Sequence, residues 1–452
     1  MTIDDARMIE KIQLNRHSTR YREEFEELST EFHGRCPVAW NETHGGYWFV
    51  SGNKELFDIA RRADVLSNEA DPDGVKRGYQ GISIPHPQRE KGSPIGGFLE
   101  MDPPEQRHYR QALNPYLSPA AVARWQPVID EITRACLDEK IESGRIDFVD
   151  DLANIVPAVL TMAMLGMPLS EWIVHCEPSH ASVYTPPDSP DFLRVFQQML
   201  EARAHTEEWV RRIRENPRPG LIDGIIKADV NGTKPDDRDV VGVAGLLIGG
   251  GFDTTTALTA HSLEWLGEHP AERERLSREW DDLRDSATEE FLRFYTPAVG
   301  DGRTIQLDAE IDGVKFEEGQ RLWLSWAMAN RDETVFEDPH TIHLDRKGNR
   351  HSSFGLGIHR CIGSNVARAT FKTMLRHVLD RMPDFVCDPA GAVHYPSTGV
   401  INGMKNLPAT FTPGPRLGAG LDETIARMQV ICDEQRLAEP VTVRKAAAKL
   451  AD

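Results

Sequence analysis

One cysteine in this chain lies in a setting that could expose its chemistry: Phe354-Gly355-Leu356-Gly357-Ile358-His359-Arg360-Cys361-Ile362-Gly363. Gly355 and Gly357 permit positive φ and a backbone that passes close to a flat ligand, and Gly363 lets a following helix start with no side chain in the way. Unpaired N–H groups at that helix start, with the positive end of its dipole, favour thiolate over thiol. Cys361 so placed can act as an axial metal ligand. Other chemistries compete for the same residues. A lone cysteine is more often a small buried hydrophobe. Gly355-x-Gly357 could open a dinucleotide fingerprint, but Arg360 stands where the third glycine is needed. His359 and Cys361 could be base and nucleophile of a thiol hydrolase, yet residues two apart diverge on a strand and share no helix face.

Two further groupings carry possible chemistry. Glu290-Phe291-Leu292-Arg293 sets a carboxylate and a guanidinium at i and i+3, on one helical face, where they can form a fork and reach nearby backbone. The competing reading is an ordinary surface pair, which contributes little. From Val240 to Phe252 there is no charged residue, so this segment must cross a core, and it is too short to span a bilayer. Gly249, Gly250 and Gly251 would each cost up to ~1 kcal/mol in a helix interior, which calls for a local reason such as close approach to a ligand. Asp253, Thr254 and Thr255 follow; such residues also cap or kink helices by bonding to backbone. No Gly-Lys-Ser/Thr follows, so a phosphate loop is excluded.

In this order and at these distances the segments resemble the cytochromes P450, the haem-thiolate monooxygenases. The resemblance covers about Cys36 to Pro413 and is strongest from Gly242 to Arg368; Asn330-Arg331-Asp332 and Phe336-x-x-Pro339 are also typical of the family. It implies a mainly α fold with a small β-rich region, and haem b held between a long central helix and the cysteine loop. Phe354, Cys361 and Gly363 belong to that loop, with Cys361 ligating the iron; a thiolate in that place pushes electron density toward O–O cleavage. Gly250-Gly251-Phe252-Asp253-Thr254-Thr255 matches the family's oxygen groove, where the helix widens locally. Thr254 would supply its hydroxyl there and Asp253 would pass protons inward. Glu290 and Arg293 match the structural Glu-x-x-Arg. Gln106 and Arg110, four apart, resemble the propionate helix; many bacterial members have histidine first, and the glutamine is shared with the camphor-hydroxylating type, as is Asp301-Gly302-Arg303. Arg303 and His359 complete the propionate set. Leu246, Gly249, Val299, Val400 and Ile401 are the implied pocket walls, all apolar or small.

The elements that would position these residues follow from pattern. Tyr47-Trp48-Phe49-Val50 reads as a strand ending in a turn at Ser51-Gly52-Asn53. Residues 66 to 99 are rich in Pro and Gly and read as loop, where family members carry a mobile segment over the pocket. From Asp102 the pattern is helical, with Pro103 and Pro104 allowed in a first turn. No linker divides 1–413, which reads as one domain; 414–452 reads as an extension whose Leu421, Ile425, Met428 and Cys432 form a helical apolar stripe, a docked helix.

Composition bounds the setting. The chain has 452 residues and a net charge of −19, which argues against nucleic acid, since phosphate would be repelled. Six cysteines without repeated spacing suit reduced thiols in a cytoplasm. The charged start (Asp4, Asp5, Arg7, Glu10, Lys11) carries no apolar run, so no membrane anchor is expected. His340 and His343 lack a cysteine or carboxylate set for zinc. What the resemblance implies within these bounds is a monooxygenase inserting one atom of O2 into an apolar substrate: a terpenoid, fatty acid, steroid or aromatic. Electrons would come from a separate acidic ferredoxin or flavodoxin, drawn to Arg107, Arg110, Arg360, Arg368 and Lys372. A peroxide-driven haem enzyme, or a haem sensor of the same fold, is the alternative.

Overall fold

The computed structural model describes residues 10–87, 89–186 and 189–437. Asp4, Asp5 and Arg7 of the charged start, and residues 438–452 of the extension, lie outside the described residues. The described residues form two compact units, one drawn from the segments Met1–Asp102, Ala271–Cys361 and Val393–Lys405, the other from Pro103–Pro270, Ile362–Ala392 and Asn406–Asp452.

The first unit is organised by a six-stranded sheet in the order Lys11–Ile12, Val38–Asn41, Tyr47–Val50, Arg321–Leu324, Asp301–Ile305, Leu66–Ser67. Tyr47–Val50 is the strand the sequence predicts, and all four of its residues are buried. It pairs antiparallel with Val38–Asn41, Trp40 opposite Trp48, and parallel with Arg321–Leu324, Phe49 opposite Trp323. Side chains alternate across a strand, so Trp48 and Val50 join one apolar cluster with Leu56, Leu322 and Trp326, while Tyr47 and Phe49 join another with Phe32, Trp323 and Met328. A run apolar at every position is what two buried faces require. Each such side chain contributes about 1.5–3 kcal/mol on burial.

The second unit is helical. Pro103 and Pro104 precede its first helix, Glu105–Leu117, with Pro104 at the cap; the first turn therefore starts after the proline pair instead of containing it. Gln126–Lys140, Ile155–Leu165, Trp172–Tyr184 and Phe192–Glu215 follow. The central helix runs Asp237–Gly251, pauses at Phe252, and continues as Asp253–Glu268. Asp236 caps it, its side chain accepting from the Asp239 N–H at 2.9 Å. Taken whole, Asp237–Glu268 is long and apolar enough by length and composition to cross a membrane, but 56% of its apolar stretch is buried inside the protein. It packs on Ile155–Leu165, Phe192–Glu215 and Ser364–Arg381, as a core helix does.

The C-terminal helix Leu421–Leu437 lies against Gln126–Lys140 and the short turn Leu169–Glu171. Ile425, Met428 and Cys432 are buried on its inner face. Arg134 reaches it by donating to the Ala419 carbonyl at 3.2 Å and the Thr424 hydroxyl at 3.0 Å, and the Gln429 side chain accepts from the Leu169 N–H at 2.8 Å.

Candidate active site

In the first unit, Gly355 and Gly357 adopt φ of 67° and 69°, the left-handed region in which the loop turns. A Cβ on Gly357 would stand 2.9 Å from the Ala60 carbonyl, so that glycine is also required by space. The turn is closed by two backbone bonds of 2.7 Å, Gly355 N–H to Ser352 carbonyl and Cys361 N–H to Phe354 carbonyl. It leaves Cys361 exposed, with Phe354 and His359 half-buried before it.

The loop hangs from a buried polar chain that begins at Glu290 and Arg293. Both side chains are fully buried and form a two-pronged pair, with bonds of 2.8 Å at Nε and at Nη2. The surface-pair reading is thereby excluded. Arg293 Nη1 donates to the Asn330 carbonyl at 2.9 Å. The Asn330 side chain accepts from the Ser352 N–H at 2.7 Å and donates to the Ser353 hydroxyl at 2.8 Å. Glu290 also accepts from Arg346, Asn349 and the His343 N–H. Arg346 and Asn349 carried no motif signal; they are read only from contact. Burial opposes the Glu290 charge, but the Arg293 bond and its field outweigh it and hold the carboxyl below its ordinary range.

Arg303 is a buried cation with little to neutralise it. Its residue is 3% exposed. Nη1 donates to the Gly302 carbonyl at 2.7 Å, and the Asp301 carboxylate stands 4.0 Å from Nη2. Desolvation lowers its proton affinity against the pull of Asp301 and Asp102. Of the expected pocket residues in this unit, Val299 is packed in the core cluster with Trp323 and Met328 and is 3% exposed, so its side chain offers no wall; its N–H bonds the Val400 carbonyl at 3.2 Å. Val400 is exposed and Ile401 half-buried, bridged to Ala298.

In the second unit, Gln106 is buried and Arg110 half-buried on one face of Glu105–Leu117. Gly363 caps the start of Ser364–Arg381. On the central helix Leu246 is half-buried, while Gly249 and Gly250 are exposed although the surrounding turns are buried. A Cβ on Gly245, Gly249 or Gly250 would meet nothing within 4 Å. Spacings of i and i+4 place Gly245 with Gly249 and Leu246 with Gly250, so one face of the helix is a flat, side-chain-poor strip. Gly251 differs: a Cβ there would be 2.8 Å from Thr161 Oγ1. The helix breaks at Phe252, φ −94° and ψ −79°. Thr254 Oγ1 donates to the Gly250 carbonyl at 3.1 Å, and the Phe252 carbonyl takes both the Thr255 and Thr256 N–H groups at 3.1 Å. Asp253 is buried and turned to another partner, His180, whose Nδ1 lies 2.7 Å from its Oδ1.

Each unit by itself offers groups that suit a haem. In the first unit an exposed cysteine ends a glycine turn, and a buried guanidinium has the Asp301 carboxylate no nearer than 4.0 Å; in the second, a helix strip carries three glycines with open space beside them. Cys361 would hold the iron, and Gln106, Arg110, Arg303 and His359 the propionates, where planar guanidinium forks suit carboxylates.

Comparison with known proteins agrees. The family model described as Cytochrome P450 matches residues 188–389. The steroid C26-monooxygenase of Mycolicibacterium smegmatis is 28% identical over 398 residues, 83% of this chain and 88% of that protein. The linalool 8-monooxygenase of Pseudomonas putida is 28% identical, covering 83% and 93%. The methyl-branched lipid omega-hydroxylase of Mycobacterium tuberculosis is 27% identical, covering 81% and 84%. Among solved structures, CYP109E1 of Bacillus megaterium in complex with testosterone has a TM-score of 0.75 at 27% identity, covering 87% of this chain and 99% of the other. Sequence relatives that are monooxygenases and a fold shared along nearly the whole of a solved member lead to one conclusion: the chain belongs to the cytochrome P450 family, a monooxygenase whose cofactor is haem b.

Proposed function

We propose that this monooxygenase oxidises a bulky, apolar small molecule of the terpenoid, steroid or branched-lipid kind, with electrons supplied one at a time by a separate acidic ferredoxin or flavodoxin. The observation that carries the substrate reading is the strip formed by Gly245, Leu246, Gly249 and Gly250, which offers width and no charge. Relatives named for steroid, linalool and methyl-branched lipid substrates point the same way. Haem, when bound, supplies the activation of dioxygen. The chain's own residues would do the rest: Cys361 would ligate the iron, Arg303 and Arg110 would hold propionates, Asp253 would deliver protons, and the Thr254 hydroxyl would direct them. A peroxide-driven enzyme would have no use for that acid and alcohol, which favours the O2-dependent reading.

The protein purified with haem, reduced under carbon monoxide, is expected to show the red-shifted Soret band of a thiolate ligand, and Cys361→Ser to lose it. Titration with terpenoids, steroids, branched fatty acids, small aromatics and sugars then tests the substrate class. Tight Soret shifts confined to the apolar set support it; a shift with charged or sugar-like compounds alone sinks it.

A further inference from the structure

Asp253 is held by a residue that no motif contains. His180 lies 73 positions earlier, on Trp172–Tyr184, and its Nδ1 is 2.7 Å from Asp253 Oδ1, with side chains 11% and 4% exposed. His180 shares its helix face with Cys176 and Tyr184, four residues to either side. The Tyr184 ring stands edge-on to the imidazole at 5.3 Å. Cys176 is no proton carrier: burial, then the charges of Asp253 and Asp150, push its thiol up to about 12. Desolvation and Asp150 likewise raise Tyr184.

A further acid is Asp150, an exposed residue of the turn Val149–Ala153 within the electrostatic reach of His180. Desolvation and the neighbouring Asp147 raise its carboxyl, with His180 opposing, and its Oδ2 accepts from the Asn406 amide at 3.1 Å. Glu177, Asp151 and Arg194 are the other charged groups whose fields reach this cluster. A buried carboxylate is thus held by one imidazole, and an exposed acid lies within that imidazole's field.

We propose that His180 is a positioning residue for proton delivery, holding Asp253 and linking it to Asp150, so that each proton Asp253 gives up is replaced from the surface along this line. The inference rests on Asp253 being the proton donor, as proposed above. The transfer balances within the ring: Nδ1 passes its proton to Oδ1 of Asp253, Nε2 takes one from the outer side, and tautomer exchange resets the imidazole. An imidazole can do this because its two nitrogens give and accept separately.

The test compares His180→Gln, Asp253→Asn, their double variant and Asp150→Asn in the haem-loaded protein. Glutamine keeps an N–H donor for Asp253 but cannot carry a proton through. His180→Gln is expected to keep the substrate dissociation constant, slow coupled turnover by about tenfold or more and enlarge the D2O effect on it. The double variant is expected to be no slower than Asp253→Asn, since residues in one line do not add. Independently of turnover, infrared difference spectra should show the Asp253 carboxylate band, assigned by its loss in Asp253→Asn, shifted by His180→Gln. Asp150→Asn, at an exposed site, should enlarge the D2O effect with a smaller loss of rate. Wild-type turnover in His180→Gln, multiplied losses in the double, an unmoved carboxylate band, or a normal D2O effect in Asp150→Asn each overturn the relay. If Asp253→Asn alone turns over normally, the Asp253 assignment falls and the relay with it. A slow Asp253→Asn beside a normal His180→Gln removes His180 alone.

Discussion

Burial, aided by nearby carboxylates, pushes the thiols of Cys36 and Cys176 up to about 12 and raises Cys136 as well, so three of the six cysteines are held as neutral SH. Cys361 is the exposed one, at the end of a turn whose glycines fix it. Its neighbours in chemistry act through geometry of a similar kind. The Thr254 hydroxyl donates to the Gly250 carbonyl one turn back, at the point where the central helix is interrupted. Thr254→Ala removes that one partly exposed bond, a loss of about 1 kcal/mol or less. Thr254→Ala is expected to bind substrate and consume reducing equivalents at near-normal rates while product is lost to hydrogen peroxide. Product and peroxide counted per NADH check this, and full coupling would remove the hydroxyl from proton control.

At the scale of elements, the helix Trp280–Tyr295 matters because it holds the root of the cysteine loop: Glu290 to Arg293 to Asn330 to Ser352 and Ser353 is an unbroken set of bonds. Glu290→Gln leaves Arg293 buried with its partner's charge gone, and breaking a buried pair costs about 3–5 kcal/mol. The expected result is a lower urea midpoint and faster haem loss. Glu290 is depressed in the folded state, so its stabilisation is complete above the ordinary glutamate value of 4.5 and fades as pH falls through the lower folded value. Acid titration of haem retention should therefore separate wild type from Glu290→Gln above pH 4.5 and bring them together well below it. Much of this was legible in sequence because it is local. The i, i+3 pair, the uncharged glycine helix and the all-apolar strand Tyr47–Val50 each declare themselves within a few residues. What escaped is non-local: Arg346 and Asn349 on Glu290, His180 on Asp253, and Val299 drawn into the core by Trp323 and Met328. Such contacts depend on where distant segments meet, and no spacing rule encodes them.

The whole molecule carries a net charge of −19, a field that repels acidic partners from most of its surface. Against it, cations recur close to Cys361 along the chain: Arg360 immediately before it, and Arg368 and Lys372 on the helix Ser364–Arg381 that follows. Arg360 is exposed and Lys372 half-buried, and neither belongs to the propionate set. Local positive charge on an anionic body orients an acidic donor during encounter, and such steering raises association rates by ~10 to 1000-fold at low salt. Arg360→Glu and Lys372→Glu are each expected to slow electron transfer from an acidic ferredoxin at low salt and to flatten its dependence on ionic strength. The carbon monoxide spectrum and substrate binding should stay as in wild type, because neither charge touches those functions in the proposed site. Stopped-flow reduction across a salt series reads the difference. Equal rates and equal salt slopes in both reversals and wild type would place the docking charges elsewhere, since a steering residue must change the encounter before it changes anything else.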